Sequence, residues 1–317
     1  MKKLLLLITL SLSVIAQAAK SYDNPDTIVV ARDGTGEFRT VDEAIEVCRA
    51  FMDYQKVIYI KKGTYKEKLI IPQWLQNIEL CGEDMNETVI TYDDHANINK
   101  MGTFRTYTLK IEANNIILKN LTIENNSPRL GQAVALHTEG DRLVFINCRF
   151  IGHQDTIYTG MPYTRLFFKG CYICGTTDFI FGPSTAWFED CTIESLVNSY
   201  VTAASTPADA DYGYIFNNCR LIAKAGVNKV FLGRPWRDYG YTLFMNCDLG
   251  AHISPEGWHH WEKHREQTAR YLEYNNHGAG AQTQKRVPWS RQLTKKEAQQ
   301  ITPAKVFVRQ DNWNPMP

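Results

Sequence analysis

Cys148-Arg-Phe-Ile-Gly152-His-Gln154-Asp155-Thr-Ile157-Tyr158 is answered by Cys171-Tyr-Ile-Cys174-Gly175-Thr-Thr-Asp178-Phe-Ile180-Phe181. The shared pattern is C-x-[FI]-x-G-x-x-D-x-I-[YF], and both the leading cysteines and the aspartates are 23 residues apart. A fixed period of this size marks a repeat architecture, in which each unit buries its apolar face against the next. If each unit is one coil of a stacked solenoid, Asp178 lies over Asp155. Neighbouring strands sit about 4.8 Å apart, so the two carboxyls are close neighbours. Two acids held that close do not both ionise at ordinary values, and one is pushed upward. One acid and one nucleophile can arise this way from identical side chains.

The repeat extends outward in both directions. Leu118-Lys-Asn-Leu121-Thr-Ile123, Phe145-Ile-Asn-Cys148-Arg-Phe150, Phe168-Lys-Gly-Cys171-Tyr-Ile173, Phe188-Glu-Asp-Cys191-Thr-Ile193, Phe216-Asn-Asn-Cys219-Arg-Leu221 and Phe244-Met-Asn-Cys247-Asp-Leu249 are versions of one phrase. Constant strands separated by loops of varying length predict a parallel β-helix with function built into loops on one side. Strands are expected at 27–31, 57–61, 69–71, 77–81, 88–92, 106–112, 116–123, 143–150, 165–173, 186–193, 214–222, 229–232 and 241–249. Thr40-Val-Asp-Glu43 is a capping box, and the apolar spacing after it predicts a helix at about 40–53 that covers the open end of the solenoid. Residues 254–290 read as loop. Thr294-x-x-Glu297 opens a short helix, and the tail is expected to pack along the outside of the coils.

Met1-Lys2-Lys3, the apolar run Leu4 to Ile15 and Ala16-Gln17-Ala18 form the pattern of a secretory signal peptide, too short to span a bilayer. A mature domain over residues 19–317 is expected, exported to the periplasm or beyond. Without Lys2 and Lys3 the chain carries 33 basic and 34 acidic residues, which is no nucleic-acid footprint. Export permits disulfides among the eight cysteines. Strand spacing puts aligned neighbours such as Cys171 and Cys191 within bonding range; an inward stack of thiols acting as small apolar residues fits equally.

Other residues have two readings. Gln132 and Gln154 are either strand-end amides or donors to an oxyanion. Arg234, in Gly233-Arg234-Pro235-Trp236, is either a solvated turn residue or a guanidinium forked onto a carboxylate. Trp236 can stack on a sugar face or stay a half-buried loop aromatic. Cys171-x-x-Cys174 and the cluster His259, His260, Glu262, His264 have poor spacing for a metal, and no metal or other cofactor is expected. There is no nucleophile elbow and no P-loop.

Gly63-Thr-Tyr65-Lys-Glu67, Gln132-Ala-Val-Ala-Leu136, Gln154-Asp155-Thr-Ile157, Asp178-Phe-Ile-Phe-Gly182 and Leu232-Gly-Arg234-Pro-Trp236 together resemble the five ordered signature segments of the pectin methylesterases (pectinesterases). The similarity runs from about Ile28 to about Phe307. It implies an all-β, right-handed parallel β-helix and metal-free hydrolysis of galacturonate methyl esters in methyl-esterified homogalacturonan; a monomer is expected. It also implies roles: Asp178 as nucleophile, Asp155 as general acid and then base, Gln132 and Gln154 as the oxyanion hole, and Arg234 as partner of Asp178. Tyr158, Phe181 and Trp236, with Gln132 and Arg234, would line the sugar groove. Cys171 and Cys191 match a disulfide position of bacterial members. Ile157 stands where leucine is usual, and the segment between Cys219 and Phe231 is shorter than in plant members. Two other readings keep the solenoid: a uronate lyase or glycosidase, and a non-catalytic carbohydrate-binding protein.

Overall fold

The computed structural model describes residues 20–315, so the expected signal peptide lies outside the described residues. The chain winds as a parallel β-helix. Every strand pair is parallel, and the strands collect into three sheets of eleven, seven and eight strands among the described residues. One coil shows the pattern. Leu143–Ile146 lies in the eleven-stranded sheet, Arg149–Ile151 in the eight-stranded sheet and Ile157–Thr159 in the seven-stranded sheet. The chain then returns to the eleven-stranded sheet at Arg165–Lys169.

The recurring phrase is a corner as well as a strand. The runs expected as single strands at 116–123, 143–150, 165–173, 186–193, 214–222 and 241–249 are each two strands in different sheets. Between them Asn120, Asn147, Gly170, Asp190, Asn218 and Asn246 have φ between 50° and 61°. Asn, Asp and Gly tolerate this left-handed conformation, and a single such residue ends one strand and turns the chain into the next. The phenylalanine before the corner and the cysteine after it can therefore both point inward, although they are three residues apart.

Two inward ladders result. Phe145, Phe168, Phe188, Phe216 and Phe244 stack face to face with centroid spacings of 4.4, 4.6, 4.3 and 4.3 Å. Cys148, Cys171, Cys191, Cys219 and Cys247 form the second ladder, and all are buried free thiols. The bond that the resemblance implied between Cys171 and Cys191 is not formed in this structure: each sulfur instead donates to the carbonyl two residues before it and to one on the preceding coil. The stack of small apolar thiols is the alternative the sequence left open.

The capping helix is shorter than expected, Val41–Glu46. Thr40 and Glu43 form the predicted box, and the Glu67 carboxylate accepts from the Val41 and Asp42 amides as well. An anion there suits the helix N-terminus. The chain leaves the helix so that Phe51, at φ 57°, can donate its amide to the Trp74 carbonyl. Phe51 is consequently exposed, not part of an apolar helix face. Residues 254–290 are not all loop, because Arg270–Tyr274 adds a strand to the eleven-stranded sheet. The tail packs as expected: Ile301, Val306 and Phe307 cover Phe167, Trp187, Ile215 and Leu243. Arg165 fastens it by bonding Asp141 on the coils and Asp311 on the tail, each at 2.6 Å. Among the described residues no helix is long and apolar enough to cross a membrane.

Charged groups close both ends of the core. Lys56 is fully buried, and its ammonium donates to the carbonyls of Tyr22 and Asn24. At the other end Glu273, in register with Phe244, takes two bonds from Arg286, at 2.7 and 3.1 Å. Both of these side chains are almost wholly buried. Removing one partner of such a pair leaves a buried charge without compensation. Arg286→Ala should lower unfolding free energy by about 3–5 kcal/mol, measured by urea denaturation. A loss below about 1 kcal/mol would show that this pair behaves as a solvated one.

Candidate active site

The seven-stranded sheet carries the site. Its register puts Ile157 beside Ile180 and Ile180 beside Thr202. Carried back two residues, the same ladder runs Asp155, Asp178, Tyr200. The backbone repeats it: the Asp155 amide donates to the Thr177 carbonyl, and the Asp178 amide to Tyr200. Both aspartates take left-handed φ, 69° and 49°, one turn before their strands begin. The repeat read from sequence is thus a repeat of conformation, and it aims both carboxyls the same way.

Glycines let the coils close up here. Gly182, at φ 129°, has no room for a Cβ, which would lie 2.2 Å from the Thr159 carbonyl oxygen. A Cβ on Gly233 would lie 2.0 Å from the Thr202 hydroxyl. With both backbones close, the Arg234 amide bonds the Thr202 carbonyl and the Trp236 amide bonds that of Ala204. Arg265 holds the same turn from outside through the carbonyls of Pro235 and Trp236.

The Arg234 side chain forks onto Asp178, Nε to Oδ1 at 2.9 Å and Nη2 to Oδ2 at 2.6 Å. This is the bidentate reading of the two the sequence allowed. Both aspartates are more than nine-tenths buried. Burial raises the Asp155 carboxyl well above its ordinary value, and the charge of Asp178 pushes it the same way. Burial also raises Asp178, and the two hydrogen bonds and positive charge of Arg234 oppose that rise without reversing it, so Asp178 stays lower than Asp155. The arrangement favours a proton on Asp155 and a charge on Asp178.

A cleft of about 280 Å³ opens over the pair. Gln132, Gln154, Asp155, Asp178, Phe181, Arg234 and Trp236 all line it. Neither glutamine amide bonds another group among the described residues, so both are free to donate to a ligand. Tyr158 lies outside this lining. It stands one coil back, stacked on Phe181 at 4.7 Å, and extends the aromatic floor. Phe104 covers it at 4.8 Å.

Sequence reasoning missed the cleft walls. Thr103, Phe104, Ala203 and Trp261 complete its lining. Trp261 and Tyr200 also bracket Arg234, at 3.8 and 3.9 Å from its guanidinium carbon. Tyr200 was findable, since one more step of the aspartate ladder reaches it. Trp261 and Phe104 sit in loops with no periodicity to follow.

Comparison with known proteins agrees with this geometry. The family model described as Pectinesterase matches residues 27–311. A probable pectinesterase/pectinesterase inhibitor of Brassica napus is 34% identical over 304 residues, covering 90% of this chain and 52% of that one. The chain thus spans about half the length of that relative. The pectin methylesterase of carrot superposes with a TM-score of 0.85 at 31% identity, over 91% of this chain and 94% of the other. A pectin methylesterase in complex with a hexasaccharide gives 0.78 at 30% identity, over 92% and 98%. With a parallel solenoid, an Asp–Arg fork at its heart and a family match over nearly the whole described length, this chain belongs to the pectinesterase family.

Proposed function

We propose that this protein hydrolyses methyl esters of galacturonate residues in pectin, releasing methanol and leaving a free carboxylate on the polymer. The observation that carries the proposal is the asymmetric acid pair: Asp178 forked by Arg234, and Asp155 one coil away, likewise buried but without such a partner among the described residues. Asp178 attacks the ester carbonyl, and the Gln132 and Gln154 amides donate to the oxyanion that develops. Asp155 gives its proton to the departing methoxide, which leaves as methanol. Asp178 is then acylated and Asp155 is a carboxylate. Asp155 next takes a proton from water, the hydroxide attacks the same carbonyl, and Asp178 is released. Atoms and charges balance: one ester and one water give one acid and one methanol.

The groove supports a polymeric substrate. Phe181 and Trp236 offer apolar faces to sugar rings, and Tyr158 continues that surface along the axis. The oligosaccharide bound by one of the similar structures supports the same class of ligand. The Lys2–Ala18 pattern supports export before the enzyme meets a cell-wall polymer.

Asp178→Asn and Asp155→Asn should each lower methanol release from methylated pectin by about a thousandfold or more, with circular dichroism unchanged. Near-normal turnover by Asp178→Asn would remove the proposed nucleophile. A Gln154→Ala change should cost about 10²–10³ in kcat. EDTA should leave wild-type turnover unaltered. Unsaturated products absorbing in the near ultraviolet, or new reducing ends, would instead support a lyase or a glycosidase.

The raised Asp155 carboxyl has a stability consequence. Between the ordinary carboxyl value and the raised one, the folded state holds a proton that the unfolded chain releases. Stability therefore falls as pH rises through that window. Asp155→Asn has no such proton, so it should melt at a higher temperature than wild type at neutral pH and lose the steeper part of that slope. Melting temperatures from about pH 4 to about pH 8 test this.

A further inference from the structure

Arg234 is held by more than its carboxylate. Its guanidinium carbon lies 3.9 Å from the ring centre of Tyr200 and 3.8 Å from that of Trp261. A cation that close to two aromatic faces is attracted to both, and the planar group cannot swing out of the space between them. Tyr200 is itself fixed. It follows Asp178 in the ladder, pairs with Phe231 in the next coil and stacks on that ring at 5.5 Å. His259 meets both rings edge-on, at 5.4 and 5.6 Å. Among the described residues the Tyr200 hydroxyl takes part in no hydrogen bond, so the face of the ring is what Arg234 uses.

We propose that Tyr200 is a positioning residue for the reaction: with Trp261 it clamps the Arg234 guanidinium in the plane that forks onto Asp178. The inference rests on the roles proposed above for Asp178 and Arg234. Tyr200 does not line the catalytic cleft, whereas Trp261 does. The Tyr200 carbonyl accepts the Asp178 amide whatever its side chain, so a side-chain change at Tyr200 reaches the chemistry through Arg234. A loosened guanidinium would bond Asp178 less well, misalign the attacking oxygen and weaken the force that keeps it charged. The other titratable groups about the fork are Asp155 on the preceding coil, His259 beside Tyr200, and Tyr271, whose proton is held by burial first and then by the nearby Asp178 charge. None of them replaces the two-point contact that Arg234 makes.

The test is steady-state methanol release by Tyr200→Leu and Tyr200→Phe, recorded across pH, with melting temperature alongside. Tyr200→Leu should lose about tenfold or more in kcat while KM changes by less than about threefold. Its acidic limb should move to higher pH. Tyr200→Phe keeps the ring and should match wild type in all three. Wild-type kcat and pH profile in Tyr200→Leu would overturn the proposal. So would a rise in KM alone, which would make Tyr200 a sugar contact. If Tyr200→Leu does not fold, Tyr200→Met, which keeps most of the volume, is judged by the same criteria. The two readings fail separately: active Asp178→Asn defeats the nucleophile assignment, whereas inactive Asp178→Asn with unperturbed Tyr200→Leu defeats only the clamp.

Discussion

The parallel backbone ladder governs this molecule. Hydrogen bonds between coils fix residue against residue, so whatever side chain recurs in sequence recurs in space one strand spacing away. Inside, the rule yields stacked phenylalanines and stacked thiols. On the seven-stranded sheet it yields stacked carboxyls. Two neighbouring acids would repel if both ionised, and the fold answers with Arg234, two coils beyond Asp178 and three beyond Asp155, whose fork reaches only Asp178. Identical backbones thus acquire unequal electrostatics from a single contact on one side.

Much of this was legible because the ladder writes itself into the chain as a period. Cys148 with Cys171, and Asp155 with Asp178, reveal the solenoid and the heart of the cleft before any coordinates. Three things were harder to read. The corners at Asn147, Gly170 and their equivalents look like polar interruptions of one strand, because a single left-handed residue has no length. Strands such as Ile157–Thr159 and Ile180–Gly182 span three residues each, too few for alternation to show. The cleft walls at Phe104 and Trp261 come from loops, whose approach to the site depends on tertiary contacts such as the Arg265 bonds to the Pro235 turn.

The capping helix failed for a related reason. Its apolar spacing continues through Met52, which is buried, but burial is reached in an irregular turn and not in a helix. Local periodicity described which residues go inside; the Phe51–Trp74 backbone bond decided the path. The Glu67 carboxylate makes the converse point. In sequence it is one letter of a motif, and in space it completes a helix end more than twenty residues away.

The buried charges at the two ends of the core bear on how large the object can grow. A stack of parallel coils presents unsatisfied backbone groups at each end, an invitation for another chain to continue the sheet. Lys56 and Glu273 lie in the strands next to the two edge strands, Ile28–Val30 and Arg291–Gln292, and both are already engaged, by backbone carbonyls and by Arg286. An incoming apolar layer would have to displace those partners and strand a charge, at a cost of several kcal/mol. The same groups that finish the interior thereby work against end-to-end fibre growth.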